Sequence, residues 1–357
     1  MPGSTRDYFS RQLIKWYSSN QRSLPWRETR DPYKIWLSEI LLQQTRVNQG
    51  LPYYIKFINS FPDIQSLARA DEQTVLRLWQ GLGYYSRARN LHATAKNIVQ
   101  NYQGKIPASY DGLLQLKGIG RYTAAAIASF AFREKVAVLD GNVFRVLSRV
   151  FGIDKDILST QGVKEFREMA ASLLPDKDSH IYNQAVMEFG ALHCTPSSPA
   201  CADCPLESMC FARKHDLQSA LPVKIKKLKK KERYFNYMIF RQGKKLFLKK
   251  REGKDIWQGL FEFHLMEQKQ IESFEKILKL NSAGKKLKNA VLEKESPVYK
   301  HVLSHQTIFA KFWMLDISGI KSFENILPDT SLAAYTEKQI KELPKPVLIN
   351  NYLQEYF

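Results

Sequence analysis

Cysteine is the residue type whose placement indicates most about chemistry in this chain. All four cysteines lie in one short segment, with spacers of six, two and five residues: Cys194, Cys201, Cys204 and Cys210. Disulfide frameworks belong to small secreted domains, so clustered thiols in a chain of 357 residues indicate metal ligands and a reducing, cytoplasmic environment. Structural zinc sites usually take ligands from two short knuckles, and only Cys201 and Cys204 form one. The spacing therefore favours a 4Fe-4S cluster over tetrahedral zinc.

A pair of glycines precedes a helix of small residues. Gly118 and Gly120 lie in the segment LKGIG, shortly before residues 124–132, AAAIASFAF. Glycines in a tight turn let backbone N–H groups approach a phosphate, and the dipole of the following helix favours an anion. The segment is predicted to be a helix-hairpin-helix that grips the DNA backbone without reading sequence. A plain helix corner that uses glycine for its turn is the alternative.

An acidic residue follows this helix. Asp140 stands between an apolar stretch and a new amphipathic helix, where by itself it would serve as an ordinary N-cap. Together with the cysteines and the hairpin, however, it resembles the iron-sulfur helix-hairpin-helix DNA glycosylases. The resemblance implies that the cluster is structural and shapes a DNA-binding loop, that Gly118 and Gly120 contact phosphate, and that Asp140 is a catalytic carboxylate.

Within that superfamily, position 122 decides the chemistry. Endonuclease III enzymes carry a lysine there, whose amine attacks the sugar to form a Schiff base and permits strand cleavage. Tyr122 carries a phenol, which cannot form a Schiff base, while Lys117 and Arg121 lie on the hairpin and its flank. The resemblance therefore implies base removal without efficient lyase activity.

Three further segments are similar to the MutY-type adenine glycosylases, which remove adenine mispaired with 8-oxoguanine. They are residues 24–27 (LPWR), 31–45 (DPYKIWLSEILLQQT) and 81–90 (GLGYYSRARN). The residues that this resemblance assigns to the adenine pocket are Arg27, Leu42, Val47 and Glu188. Those that it assigns to the base stack are Gln44 and Tyr84. Tyr85 is the alternative to Tyr84, which could instead be an ordinary core aromatic.

The chemistry of adenine excision needs two acids. Adenine is a poor leaving group until N7 is protonated, and Glu39, on a largely apolar helix, could have the raised pKa that keeps a proton available. An ionised Asp140 would stabilise the oxocarbenium-like sugar, electrostatically or by a transient covalent bond, and Glu39 would then activate water. Asn142 and Tyr122 would orient and support the two acids. Without the resemblance, a surface acid paired with Lys34 would be the simpler interpretation of Glu39.

Two kinds of sequence must position these residues. Residues 1–216 are predicted to be helical, with amphipathic stretches at 71–78 and 88–99. Residues 217–233 are basic and are predicted to be a linker, although such a run may equally follow DNA phosphates. Residues 234–357 are rich in aromatic and β-branched residues, which predict strands at 234–240, 246–248 and 307–315 with a turn at 242–244. The predicted fold is multidomain, with an all-α helix-hairpin-helix core, its cluster loop, and a smaller α+β domain.

The C-terminal domain extends the resemblance, because MutY-type enzymes append a domain of the nudix-hydrolase fold. Residues 257–263 resemble its characteristic strand, but no Gly-x5-Glu-x7-Arg-Glu box follows to hold magnesium. The resemblance therefore implies recognition of a lesion and not nucleotide hydrolysis. The residues that match the family loop for 8-oxoguanine are Leu303, Ser304 and His305. Leu303 replaces the usual phenylalanine, so the hydrogen-bonding Ser304 and His305 are left to provide selectivity.

The formal net charge of +19 predicts a polyanionic partner. No apolar run approaches the length of a membrane-spanning helix, so nucleic acid is favoured over a membrane. The expected partner is double-stranded DNA with 8-oxoguanine:A or G:A mispairs, bound by a monomer at the bacterial nucleoid. Three alternatives are weaker: a bifunctional endonuclease for oxidised pyrimidines, a non-catalytic DNA-binding scaffold that keeps the cluster and hairpin, and a nudix pyrophosphatase.

Overall fold

The computed structural model describes residues 3–225, 230–280, 287, 290–320, 323 and 331–356. Residues 226–229 of the predicted linker lie outside the described residues. The chain divides into two compact units, Met1–Arg69 with Ala93–Lys226 and Ala70–His92 with Lys227–Phe357. The domain boundaries at residues 216 and 233 stay predictions. The observed units differ from the predicted domains in one respect, because residues 70–92 group with the C-terminal part of the chain.

The chain from residue 3 to residue 225 is helical. Its helices are α1 (Gly3–Asn20), α2 (Pro32–Leu42), α3 (Val47–Ser60), α4 (Ile64–Arg69), α5 (Glu72–Leu78), α6 (Ser86–Asn101), α7 (Tyr110–Leu114), α8 (Arg121–Phe132), α9 (Gly141–Phe151), α10 (Thr160–Leu173), α11 (Ser179–Leu192) and α12 (Phe211–Lys214). Short 3₁₀ helices lie at Pro25–Arg27 and Glu207–Met209. Helices α5 and α6 confirm the two amphipathic stretches predicted from the sequence.

The apolar faces of α1, α9, α10 and α11 form a hydrophobic core in the first unit. Phe9, Val146, Phe166 and Phe189 are among the side chains packed there, and each is at most 1% exposed. Burying a side chain of this size contributes about 1.5–3 kcal/mol relative to leaving it in water. The core thus fixes α9 and α11, the two helices that position Asp140 and Glu188.

The second unit contains a mixed sheet. Its strands are β1 (Lys231–Gln242), β2 (Lys245–Lys250), β3 (Phe261–Glu262), β4 (His264–Gln268), β5 (Val291–Glu295), β6 (Tyr299–Val302), β7 (Gln306–Asp316) and β8 (Ala333–Thr336). The remaining helices are α13 (Phe274–Leu280), α14 (Glu337–Glu342) and α15 (Val347–Tyr356). Strand β1 pairs parallel with β7 and antiparallel with β2 and β4. The strands predicted at 234–240, 246–248 and 307–315 are confirmed by β1, β2 and β7.

Strand β1 is buried on both faces, which explains why its sequence is almost continuously apolar. On one face, Met238 and Phe240 pack with Ile277 of α13. On the other face, Phe312 of β7 stacks between Tyr237 and Tyr352 of α15, with ring centroids 5.1 and 4.3 Å apart. The helix-on-sheet packing confirms the α+β architecture predicted for this part of the chain.

The prediction of a strand over residues 257–263 is wrong for most of its length. Only Phe261 and Glu262 form a strand, β3. Trp257 and Gly259 have φ values of 61° and 84°, and residues in this left-handed region form turns and cannot continue an extended strand. No helix in the parts of the chain that the structure describes is long and apolar enough to cross a membrane.

Candidate active site

A cavity of about 500 Å³ in the first unit brings together the residues predicted to catalyse excision or to line the adenine pocket. Those residues are Arg27, Glu39, Leu42, Val47, Tyr122, Asp140, Asn142 and Glu188. They come from α2, α3, α8, α9, α11 and the 3₁₀ turn at 25–27, which are widely separated in the sequence. The volume lies in the range of cavities that hold small organic ligands. The catalytic and pocket roles of these residues stay predictions, but all of them line one space.

Glu39 lies on the apolar helix α2 and is only 7% exposed, so it is not a surface acid. The hydroxyl of Tyr122 donates a hydrogen bond of 2.5 Å to its Oε2. Burial raises the pKa of Glu39 to about 7, and the negative charge of Asp140 also raises it, whereas the Tyr122 hydrogen bond and the charge of Arg27 oppose the rise. At neutral pH, Glu39 can therefore both give and take a proton.

Asp140 is both the N-cap of α9 and part of the cavity wall. Its Oδ1 accepts a hydrogen bond of 2.7 Å from the backbone N–H of Val143, and its Oδ2 accepts one of 2.7 Å from Asn142 Nδ2. Burial raises the pKa of Asp140, while these hydrogen bonds from Val143 and Asn142 oppose the rise. Capping and a functional role are thus compatible, because the second oxygen is oriented by a side chain.

Hydrogen bonds connect this carboxylate to the cysteine segment. Arg145 is 8% exposed and donates from Nη2 to Asn142 Oδ1 at 2.9 Å and from Nε to the carbonyl oxygen of Cys194 at 2.7 Å. One turn further along α9, Arg149 donates from Nη1 to Cys194 Sγ at 3.5 Å. Arg145 and Arg149 lie on one face of α9. They therefore hold both Asn142, which orients Asp140, and Cys194, the first cysteine.

The four cysteines are partly buried, and three of them, Cys194, Cys204 and Cys210, pack against the core formed by α1, α9, α10 and α11. The pKa of the Cys204 thiol is raised to about 12, mainly by burial and also by the other three thiols, while a backbone hydrogen bond from Leu206 opposes the rise. Among the described residues, no three His, Cys, Asp or Glu side chains are placed to hold a single metal ion.

The predicted hairpin joins α7 to α8. Gly118 has a φ of 90°, which favours glycine, and the side chain of Ile119 is buried beneath the turn. Gly120 is the N-cap of α8 and provides no side-chain hydrogen bond, so N–H groups of the first helical turn stay available. A Cβ atom at Gly120 would meet nothing within 4 Å, which leaves this end of the helix open to a ligand.

Gln44 follows α2 and is exposed. Its φ of 55° is unusual for a residue other than glycine. The neighbouring Gln43 donates from Nε2 to Thr123 Oγ1 at 3.2 Å, which ties the loop to α8. The structure therefore presents Gln44 on a fixed turn of the first unit.

In the second unit, Tyr84 lines a cavity of about 560 Å³ together with the predicted loop of Leu303, Ser304 and His305. Tyr84 is 39% exposed and Tyr85 is 6% exposed, so Tyr84 is the accessible tyrosine. The hydroxyls of Tyr84 and Ser304 are hydrogen-bonded to each other. The loop is the turn between β6 and β7, which a hydrogen bond of 2.8 Å from Leu303 N to Gln306 O closes.

Sequence reasoning did not identify every residue that lines this cavity. Arg22 and Gln184 line it, and Gln184 Oε1 accepts a hydrogen bond of 2.6 Å from Tyr17. Gln184 lies one helical turn before Glu188, so helical periodicity could have placed it on the same face. Arg22 carries no such signal, because its partner Glu188 is remote in the sequence.

Comparisons with sequence families agree with this geometry. The family described as "HhH-GPD superfamily base excision DNA repair protein" matches residues 37–174, and the NUDIX domain family matches residues 236–355. The adenine DNA glycosylase of Buchnera aphidicola subsp. Baizongia pistaciae is 39% identical over 324 residues, which cover 89% of this chain and 88% of that protein. The human adenine DNA glycosylase is 42% identical over 222 residues, which cover 60% of this chain and 41% of the human protein.

Solved structures share the helical fold. A thermostable thymine-DNA glycosylase is 28% identical with a TM-score of 0.55, covering 59% of this chain and 98% of that one. A non-covalent complex of endonuclease III with DNA is 21% identical with a TM-score of 0.53, covering 61% of this chain and 99% of that one. Family matches to both parts of the chain and identity along most of its length lead to one conclusion. This chain belongs to the adenine DNA glycosylases, the base-excision repair enzymes that remove adenine from DNA.

Proposed function

We propose that this enzyme excises adenine paired with 8-oxoguanine or guanine in duplex DNA, and that it does so without cleaving the strand. The observation that carries the proposal is the arrangement of two carboxyl groups, Glu39 and Asp140, in one cavity with different partners. Glu39 accepts from a phenol and has a pKa of about 7, whereas Asp140 accepts from a backbone amide and an amide side chain. Environments that differ in this way are typical of an acid and an anion that act in one reaction.

The reaction would begin when Glu39 donates its proton to N7 of adenine. The bond between adenine and the sugar then breaks with its electron pair moving to the base, and Asp140 stabilises the resulting positive charge on the sugar. Glu39, now ionised, accepts a proton from the water that attacks the sugar. Asn142 orients Asp140, and Tyr122 holds Glu39. Because a phenol cannot form a Schiff base, no covalent amine adduct leads to strand cleavage.

Access to the base requires adenine to leave the duplex, which costs a few kcal/mol and is easiest for a mispaired base. Arg27, Leu42 and Val47 would then enclose the flipped adenine. Gln44, exposed on its fixed turn, and Tyr84 would fill the gap in the stack. The free N–H groups of the helix behind Gly120 would bind a DNA phosphate together with the flexible backbone at Gly118.

Recognition of the opposite base is assigned to the turn between β6 and β7. Ser304 and His305 are exposed hydrogen-bonding side chains, and Ser304 already contacts Tyr84. Leu303 supplies apolar contact in place of an aromatic ring. Because one chain carries both the catalytic cavity and this turn, no second copy is needed to complete the site, and we propose that the enzyme acts as a monomer.

We also propose that Cys194, Cys201, Cys204 and Cys210 hold a structural 4Fe-4S cluster. Four partly buried thiolates need positive charge nearby, and iron together with the guanidinium groups of Arg145 and Arg149 would provide it. When bound, the cluster would fix the segment that follows α11. Analysis of the protein purified without oxygen should find about four iron and four sulfide per chain. About one zinc per chain would contradict the assignment.

Single-turnover excision tests the assigned chemistry. The substrate is an 8-oxoguanine:A duplex labelled on the adenine strand, and the variants are Glu39→Gln and Asp140→Asn. We expect strand breaks only after alkali, and a loss of at least about 100-fold in each variant. Asn at position 140 still caps α9, so the thermal stability of that variant should match the wild type.

Two outcomes would contradict the proposal. Breaks without alkali, together with a DNA adduct trapped by borohydride, would indicate a lyase. Tight binding of the wild type with no breaks after alkali would indicate a DNA-binding scaffold. Excision from 8-oxoguanine:A and G:A duplexes, measured side by side, gives the preference for the opposite base.

A further inference from the structure

Glu188 accepts so many hydrogen bonds from two arginines that no acceptor position is left for a base. Arg27 donates from Nη1 to Oε1 at 2.8 Å and from Nη2 to Oε2 at 2.7 Å. Arg22 donates from Nε to Oε1 at 2.8 Å, from Nη2 to Oε2 at 2.5 Å, and from its backbone N–H to Oε1 at 3.1 Å. A carboxylate offers about four acceptor positions, and five donors already use them. Glu188 therefore has no free acceptor for the amino group of adenine.

The Arg22–Glu188–Arg27 group, called here the triad, is a fixed charge in the cavity wall. Burial disfavours ionisation of Glu188, which is 1% exposed, but the hydrogen bonds from Arg22 and Arg27 lower its pKa to about 2. Two guanidinium groups and one carboxylate leave the triad with a net charge of +1. The guanidinium of Arg27 also lies over the ring of Tyr17, 5.7 Å from its centroid, so its orientation is fixed from a second side.

This charge faces the groups that would carry out the reaction. Glu39 of α2 is surrounded by Tyr122 from α8, Asp140 from the N-terminus of α9 and Arg27 from the 3₁₀ turn. Arg22, Arg46 and Glu188 complete the charged lining of the same cavity. The positive charge of Arg27 lowers the pKa of Glu39, whereas the negative charge of Asp140 raises it. The state of Glu39 thus depends on how far Glu188 neutralises the two arginines.

We propose that Glu188 is a positioning residue that fixes Arg22 and Arg27 as a partly neutralised cationic wall, and that it does not itself bind adenine. The inference rests on the proposed roles of Glu39 and Asp140. An unneutralised pair of arginines would oppose two events of the reaction. Added positive charge favours the ionised form of Glu39 over the protonated form, and it destabilises the positive sugar. Glu188 therefore sets the pH range over which excision proceeds.

Opposite changes of charge should shift the pH profile in opposite directions. Excision requires protonated Glu39, so its rate falls as pH rises above about 7, the pKa of Glu39. Glu188→Gln removes one negative charge with little change of shape and should move this alkaline limb to lower pH. Arg27→Met removes one positive charge and should move it to higher pH. A shift of about one pH unit corresponds to a change of about tenfold in rate at pH 8.

The experiment is single-turnover excision at saturating enzyme, from pH 5.5 to 9, on the 8-oxoguanine:A duplex. The charge control is Lys164→Met, which removes an exposed cation from α10, outside the cavity, and should leave the limb in place. If Glu188→Gln fails to fold, Arg22→Met is used instead. This variant removes one positive charge from the triad and leaves the bidentate contact between Glu188 and Arg27 in place. It should move the limb to higher pH, as Arg27→Met does.

For Glu188→Gln and Arg27→Met, limbs that coincide with the wild type or that move in the same direction would overturn the proposal. For Arg22→Met, a limb that stays in place or moves to lower pH would overturn it. Weaker DNA binding by Glu188→Gln with an unchanged limb would indicate a direct contact with the base instead. Failure of the proposed function gives a different result, because Glu39→Gln would then retain activity or the wild type would show no alkaline limb.

Discussion

The catalytic cavity of the first unit and the turn of the second unit are built from different kinds of structure. Glu39 and Glu188 are nearly buried, lie on helices, and are hydrogen-bonded to other side chains of the cavity. Tyr84 and the residues at 303–305 lie on turns and face a cavity from partly or fully exposed positions. Acid–base chemistry needs low dielectric and fixed partners, whereas reading a base needs an accessible surface. The burial of the first region therefore suits the excision proposed for it, and the exposure of the second suits the proposed reading of the opposite base.

Backbone conformation shows what the two regions share. Gln44 and Tyr84, the residues predicted to enter the base stack, have φ values of 55° and 48°, a region that costs non-glycine residues about 1 kcal/mol. Neighbouring contacts hold each of them in place. Gln43 is bound to Thr123, and Trp79 Nε1 donates to the carbonyl of Gly83 at 3.0 Å. Both regions thus place a residue that is predicted to enter the base stack in the left-handed conformation, although Arg133, Asp178 and Trp257 adopt it elsewhere in the two units.

If the first unit is a rigid frame for its carboxylates, removal of a buried hydrogen-bonding side chain there should cause the largest loss of stability. Asn183 is 1% exposed and donates from Nδ2 to Ser129 Oγ at 2.9 Å and to Val136 O at 2.8 Å, while its Oδ1 accepts from Val138 N at 3.3 Å. These bonds fix the segment that leads into Asp140. Asn183→Ala should lower the free energy of unfolding by about 2–3 kcal/mol, because buried polar groups lose their partners, and should slow excision about tenfold. Urea unfolding and single-turnover rates measure the two effects.

The matched control is Asn20→Ala at the exposed end of α1, where Nδ2 donates to Trp16 O at 2.7 Å. Its free energy of unfolding should change by less than about 0.5 kcal/mol, with no change in excision. An equal loss of stability in both variants would mean that burial does not distinguish the frame of the cavity. Full excision activity in Asn183→Ala would mean that the segment before Asp140 is positioned by other contacts.

Features that depend on a few neighbouring residues could be predicted from the sequence. The cysteine spacing, the glycines of the hairpin and the aromatic run of β1 are each visible within a few residues. Glu39 and Asp140 were predicted because they lie in recognisable segments, and burial then brings them into one cavity. What depends on distant contacts could not be predicted: Arg22 meets Glu188 across 166 positions, and Asn183 meets Val136 across 47.

The turn at 257–259 shows a second limit of prediction from sequence. The resemblance to the nudix-hydrolase fold favoured a strand there, but Gly259 packs against α5, where a Cβ atom would lie 3.0 Å from Leu76 Cδ1. Arg89 donates to the carbonyl of Gln258 at 2.7 Å and holds the turn from another side. Contacts with residues 70–92 therefore override the local pattern, and the grouping of those residues in the second unit could not be inferred from strand propensity.

The smallest effect is expected on the turn of the second unit, where a change should alter selectivity and leave stability almost untouched. Leu303→Phe adds an aromatic ring beside Ser304 and Tyr84. Stacking of a base on an aromatic side chain contributes about 1 kcal/mol or more, so the preference for 8-oxoguanine over guanine opposite adenine should rise about fivefold. The maximal excision rate from 8-oxoguanine:A should not change, because the acids of the first unit are unaltered. Relative single-turnover rates at subsaturating enzyme on 8-oxoguanine:A and G:A duplexes measure the preference.

The matched control is Val298→Phe, which adds the same aromatic ring outside the turn at 303–305. Val298 is 48% exposed and precedes β6, outside the residues that line the cavity with Tyr84. Its preference between the two duplexes should match the wild type. An equal rise in both variants would indicate a general gain in DNA affinity from added aromatic surface. A lower preference in Leu303→Phe alone would mean that the turn has adapted to leucine, so that selectivity rests on Ser304 and His305 and the larger ring displaces them.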